Sequence, residues 1–141
     1  PWATQLELEK VGRLIGLSRD IWPNHQCDFM WVTTAFLEQH PELVKKGIDA
    51  VLRGMQFIGR DFQGAATLVS QALKVPVEVE RVAMQRQVFT PVLQRDNIRD
   101  QQEFMVEVGM LKREQLPAWE RLVDVAMYDY ALKRWDEIRK A

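Results

Sequence analysis

One segment, HPELVKKGIDAVLRGMQFIG (residues 40–59), constrains the fold of this chain more than any other. Pro41 stands at the first helical position, where the missing amide hydrogen costs nothing, and Glu42 suits the positive end of a helix. Apolar residues then recur at the spacing of one helix face: Val44, Ile48, Val51, Leu52, Met55 and Ile58. This pattern predicts an amphipathic helix that must bury one side against other helices.

The rest of the sequence after residue 60 has the same character. Helices are predicted over 63–73, 77–89, 97–108 and 127–139, with one helical turn between 112 and 124. The small residues Gly64, Ala65 and Ala66 at the start of the first of these permit close approach of a neighbouring helix. The sequence after the second predicted strand, which ends at residue 34, is therefore predicted to be helical.

The first 34 residues differ, because they carry short apolar runs between turn residues. RLIGLS (13–18) and CDFMWVTT (27–34) are predicted as two short strands, the second being rich in aromatic and β-branched residues. Ahead of them, Thr4–Val11 is predicted as a short helix with Thr4 as N-cap and Glu7 completing a capping box. The chain as a whole, residues 1–141, is predicted to be mostly α-helical with about two short strands.

Composition narrows the class of protein. The chain has 141 residues, 47% of them hydrophobic and 28% charged, which is typical of one globular domain. Its 19 basic and 20 acidic residues give a net charge of −1, so a nucleic-acid partner is not expected. No apolar run approaches the roughly 20 residues of a membrane-spanning helix.

The stretch RDIWPNHQCDFMWV (residues 19–32) contains His25, Cys27 and Asp28, the residue types of a metal site or a nucleophilic dyad. The spacing H-x-C-D does not recur in structural zinc sites, and a strand would point Cys27 and Asp28 to opposite faces. No glycine nest offers an oxyanion hole. Neither a metal nor a catalytic residue is predicted, and Cys27 is interpreted as a small buried apolar residue.

An ordered series of weak motifs carries a family resemblance. It comprises PWAT at the start, SRDIWPNHQCDFMWVTTAFLEQHPELVKKGIDAVLRG in the middle, and FTPVLQRDNIRDQQEFMVEVGML later. Its most specific positions are Phe36, Leu37, His40, Pro41, Leu43, Val44, Glu107, Gly109 and Leu111. The series resembles the carboxy-terminal portion of an ABC-transporter substrate-binding protein of the nitrate/sulfonate/taurine type, the NMT1/thiamine-precursor-like family.

The resemblance implies an α/β ancestry of the periplasmic binding protein type II kind, with two lobes and a ligand in the cleft between them. In these terms, residues 1–34 correspond to the hinge or crossover region and 35–141 to the helical layer of a single segment, 1–141. Because PWA follows a hinge glutamate in such proteins, the chain is expected to be a piece of a longer protein. Alone, it is expected to associate in solution and to bind ligand poorly.

The resemblance also implies the function and its site. The expected function is the solute-binding component of an ABC importer for nitrate, a sulfonate, taurine or a thiamine pyrimidine precursor, without cofactor or covalent chemistry. The segments that match the surroundings of the cleft contain the candidate ligand-binding residues Trp2, Thr4, Trp22, Asn24 and His25. The implied partners are a small-molecule ligand, an ABC permease, and either the missing amino-terminal half or a second copy. The implied location is periplasmic or lipid-anchored outside the cytoplasm.

Two other functions fit the same ancestry. One is a ligand-sensing regulatory domain fused to a transporter ATPase or a signalling protein. The other is an enzyme of pyrimidine-precursor synthesis on this scaffold, in which His25 would be the candidate functional group.

Overall fold

The computed structural model describes residues 1–140, and helices supply all of its regular secondary structure. Nine α-helices and one short 3-10 helix (Arg113–Gln115) follow one another in this part of the chain. The α-helices are α1 (Trp2–Leu8), α2 (Ser18–Ile21), α3 (Thr34–Gln39), α4 (Pro41–Arg60), α5 (Phe62–Leu73), α6 (Val77–Gln85), α7 (Arg95–Glu107), α8 (Trp119–Leu122) and α9 (Val125–Ile138). The prediction of a mostly helical segment is confirmed.

The prediction of two short strands is wrong, because residues 13–17 and 25–33 have no regular secondary structure and residues 1–140 contain no strand. A strand needs a neighbour to complete its ladder of hydrogen bonds, and neither segment has one. At residue 26, side chains of α7 form the backbone hydrogen bonds that a neighbouring strand would otherwise have formed. The Gln26 amide donates to Asn97 Oδ1 at 3.1 Å, and its carbonyl accepts from Gln101 Nε2 at 3.1 Å.

The first helix begins earlier than predicted. α1 starts at Trp2 with Pro1 as its N-cap, so Thr4 lies inside the helix and does not cap it. The chain leaves the helix through Glu9 and through Lys10, which has a φ of 58°. The predicted helix at this place is therefore confirmed, with different ends and without the capping box.

The longest helix, α4, packs side by side with α9 and also contacts α5 and α3. Asp49 joins the first two, because its carboxylate accepts from Tyr130 Oη at 2.9 Å and from Arg134 Nε at 3.1 Å. Gln56, further along α4, donates to the carbonyl of Ile138, further along α9, so the two helices run parallel. The hydrogen bond to Asp49, helped by burial and by the carboxylate charge, raises the pKa of Tyr130 above its ordinary value.

The core lies between α5 and α6. Lys74, in the left-handed region at φ 57°, ends α5, and the chain reverses so that Met84 packs against Ala65 and Ala66. Ala66 is completely buried, which shows why small residues are needed where the two helices approach. Around them lie the partly buried residues Ile58, Phe62, Val69 and Phe89.

Residues 25–33 form an extended segment before α3, and this segment lies against α4. The Met30 methyl group is 2.9 Å from where a Cβ would stand on Gly47, so only glycine accommodates this approach without a shift.

None of the helices within residues 1–140 is both long enough and apolar enough to cross a membrane.

Candidate functional site

The first helix is held on the helical layer by Arg86, the residue that ends α6. Arg86 Nη1 donates to Thr4 Oγ1 at 3.1 Å, and Nη2 forms an ion pair with Glu7 Oε2 at 2.6 Å. Thr4 is 3% exposed, whereas the side chains of Arg86 and Glu7 are 23% and 35% exposed. A charge-assisted hydrogen bond in such a sheltered place fixes the position of α1 on α6.

This arrangement leaves Trp2 at the surface. Its side chain is 63% exposed, although it stands two residues from the buried Thr4. Beside α1 lies a hollow of about 170 Å³, whose wall includes Ala3, Leu6 and Ile15. Its volume lies below the roughly 300 to 1,000 Å³ of pockets that bind drug-sized ligands.

The other predicted site residues lie in the turn that follows α2. Trp22 is half-buried and meets Phe104 of α7 edge to face, with ring centroids 5.8 Å apart. Asn24 has a φ of 59°, a backbone conformation that asparagine tolerates better than most residues. His25 Nδ1 lies 3.0 Å from the carbonyl oxygen of Trp22, so one nitrogen of its ring is already engaged.

The five predicted site residues therefore fall into two groups, one on α1 and one in the turn at residues 22–25. Arg19 connects them, since its Nη1 donates to the carbonyl of Arg86 at 3.4 Å, and Arg86 in turn holds Thr4. Trp2 and Asn24 are exposed, Trp22 and His25 are half-buried, and Thr4 is buried with its hydroxyl in use.

Cys27 is exposed, and its interpretation as a buried packing residue is wrong. It lies in the extended segment, which runs over the surface of α7 and α4 instead of inside a sheet. Across residues 1–140, no group of three or more His, Cys, Asp or Glu side chains is placed to hold a metal ion.

Sequence reasoning missed the residues that position these two groups. Arg86 is 82 residues from Thr4, and no local pattern marks it as their link. Asn97 and Gln101 are weakly indicated by the sequence. Their two amide side chains lie one helical turn apart on the same face of α7, where they need hydrogen-bond partners. That partner is the backbone of Gln26.

Replacing Arg86 by methionine is expected to lower the free energy of unfolding by about 2 kcal/mol, because Thr4 would keep a buried hydroxyl without its donor and Glu7 would lose its partner. Urea denaturation measures the change. Arg81→Met is the matched control, since Arg81 lies on α6 and its one ion-pair partner among residues 1–140 is Glu78, one turn away at 2.6 Å. Its loss is expected to stay below about 0.5 kcal/mol. Equal losses in the two variants would show that Arg86 does not anchor α1.

Comparison with known families identifies the chain. Residues 1–73, just over half of the sequence, match the model of the NMT1-like family. The chain belongs to the NMT1-like family, which is generally a family of binding proteins and typically acts outside the cytoplasm. The matched part runs from α1 to the end of α5 and contains all five predicted site residues. Curated proteins and solved structures give no match.

Proposed function

We propose that this chain is part of the solute-binding component of an ABC importer. The ligand is nitrate, a sulfonate, taurine or a thiamine pyrimidine precursor, held in a cleft between two lobes without covalent chemistry. The observation that carries the proposal is the NMT1-like match over residues 1–73, since a family of binding proteins supports a solute-binding role. The protein works outside the cytoplasm, periplasmic or lipid-anchored, and delivers its ligand to an ABC permease.

In this proposal residues 1–34 form the hinge or crossover side of the cleft and residues 35–141 the helical layer that supports it. Trp2 provides an exposed aromatic face at the start of α1, the helix that also contributes Ala3 and Leu6 to the small hollow. An indole offers both an apolar surface and an N–H donor, which suits small polar ligands and pyrimidine rings.

The turn at residues 22–25 provides the second set of contacts. Trp22 packs on Phe104 of α7, and the amide side chains of α7 hold the backbone of Gln26, directly after the turn. Such support is what a ligand-contacting turn needs, because side chains that are already positioned lose less entropy on binding. Thr4 remains a predicted contact, and in the structure its hydroxyl is engaged with Arg86.

The proposal is tested by calorimetry on the protein that the natural gene encodes, with nitrate, taurine, a short alkyl sulfonate and a thiamine pyrimidine precursor as separate titrants. One of them is expected to bind at one site with a dissociation constant of about 1 μM or tighter. A saturating amount should also raise the melting temperature, because ligand that binds only the folded state stabilises it. Absence of binding by all four compounds, or chemical conversion of any of them, would contradict the proposal.

A further inference from the structure

A second cavity lies where α4 and α9 both end. It measures about 390 Å³, within the range of roughly 300 to 1,000 Å³ that small-molecule pockets occupy. Because α4 and α9 run parallel, residues from the last turns of both helices line it, and Phe89, after α6, completes the wall. None of the five predicted site residues takes part.

The walls of this cavity are mainly apolar and aromatic. Phe89 packs on the core cluster of Ala65, Ala66 and Met84, so the ring has a firm base. Trp135 and Met55 line other parts of the cavity. Two aromatic rings on a supported wall favour a ligand that itself has a flat ring, since offset and edge-to-face contacts add to plain burial.

Two guanidinium groups stand at the same cavity. Arg139 pairs with Asp136 at 2.7 Å, and both of these side chains are more than half exposed. Arg60 has no ion pair to any residue among 1–140. A planar guanidinium binds a carboxylate through two parallel hydrogen bonds.

A purely structural role for the two arginines is the competing interpretation, because basic residues at helix C-termini stabilise the negative end of the helix dipole. That role requires no hollow between the helices and no aromatic lining. The dipole therefore accounts for the charge of the two arginines but not for the cavity or its aromatic lining.

We propose that this cavity binds a small aromatic carboxylate, with the ring against Trp135 and Phe89 and the carboxylate at Arg60 and Arg139. The site is distinct from the proposed transport site, and it combines residues from the family-matched part of the chain with residues beyond it. Its ligand is therefore a second molecule, bound independently of the transported one.

The test uses cinnamate as the probe and its neutral amide, cinnamamide, as the comparison, by calorimetry on the whole protein. Cinnamate is expected to bind at one saturable site, and cinnamamide about tenfold or more weakly, because it lacks the charge that strengthens hydrogen bonds to arginine. Arg60→Gln is expected to reduce cinnamate affinity towards that of cinnamamide, and the double variant Arg60→Gln/Arg139→Gln to make the two affinities equal. Equal affinity for the two compounds would overturn the proposal, and so would a lack of saturable cinnamate binding.

Two glycines of α4 provide a matched pair that locates the site. A Cβ on Gly59, which lines the cavity, would meet no atom within 4 Å, and the same holds for Gly54, which does not line it. Gly59→Leu is expected to fill the cavity and abolish cinnamate binding, while Gly54→Leu should leave the affinity within about twofold of the original, since both replacements favour the helix. Unchanged cinnamate binding in Gly59→Leu, with circular dichroism confirming the fold, would place the probe elsewhere and overturn the proposal.

Discussion

Replacing Trp2 by alanine is expected to weaken binding of the transported ligand by about tenfold or more, which corresponds to roughly 1.4 kcal/mol. Tryptophan carries a large share of binding energy when its ring is covered on binding. Because the Trp2 side chain is 63% exposed in the structure, its removal is expected to change the free energy of unfolding little. The affinity loss is therefore separable from a loss of folding, and calorimetry with the best compound of the panel measures it.

Trp31 provides the control for this experiment. It is 69% exposed, close to the value for Trp2, but it lies in the extended segment outside the predicted ligand contacts, with its ring 5.5 Å from that of Phe29. Trp31→Ala is expected to keep the affinity within about twofold, since surface substitutions away from a site have small effects. If both variants lose affinity equally, or Trp2→Ala loses none, Trp2 is not a ligand contact.

The second large effect concerns stability. Leu52→Ala is expected to lower the free energy of unfolding by about 3 kcal/mol, because Leu52 is only 2% exposed on the helix that packs against α9 and α5. Such a change is a large fraction of the 5–15 kcal/mol that stabilises a typical domain. Urea denaturation monitored by circular dichroism gives the value.

Leu68→Ala is the matched control, since it removes the same atoms from a helix position that is 57% exposed. Its expected cost is about 0.5 kcal/mol or less. Similar costs for Leu52→Ala and Leu68→Ala would mean that the apolar face of α4 is not buried as the structure has it.

The long helices could be predicted because their information is local. Pro41 and the apolar spacing that follows define α4 from sequence alone, and Val44 and Leu52 are indeed its buried residues. The same face also shows the limit of periodicity, because Val51 fits the pattern and is 47% exposed. A spacing rule identifies the side of a helix but not the width that its neighbours cover.

The prediction of strands was wrong because a strand forms only beside a neighbouring strand, and a short stretch of sequence does not show whether that neighbour exists. The run from Cys27 to Thr34 has the aromatic and β-branched residues of a strand, yet its backbone is held by amide side chains of α7. Residue preference in strands mainly reports packing on a sheet, and residues 1–140 contain no sheet for it to pack on.

The candidate sites were predictable only in part. Trp2 and the turn around Asn24 came from a resemblance along the chain, which the NMT1-like match supports at the level of the family. Arg86 was missed because its partners, Thr4 and Glu7, are about eighty residues away. The cavity at Arg60 and Arg139 was missed for the same reason, since the parallel packing of α4 and α9 creates it and neither helix alone indicates it.

The most direct test of the proposed solute-binding role is fluorine NMR of the protein that the natural gene encodes, labelled with fluorotryptophan. The chain contains five tryptophans, Trp2, Trp22, Trp31, Trp119 and Trp135, and single Trp→Phe variants assign their resonances. On titration with the transported ligand, the resonances of Trp2 and Trp22 are expected to shift to saturation together while those of Trp31, Trp119 and Trp135 stay in place. Saturable binding that leaves both Trp2 and Trp22 unmoved would contradict a ligand site on the amino-terminal segment of this chain.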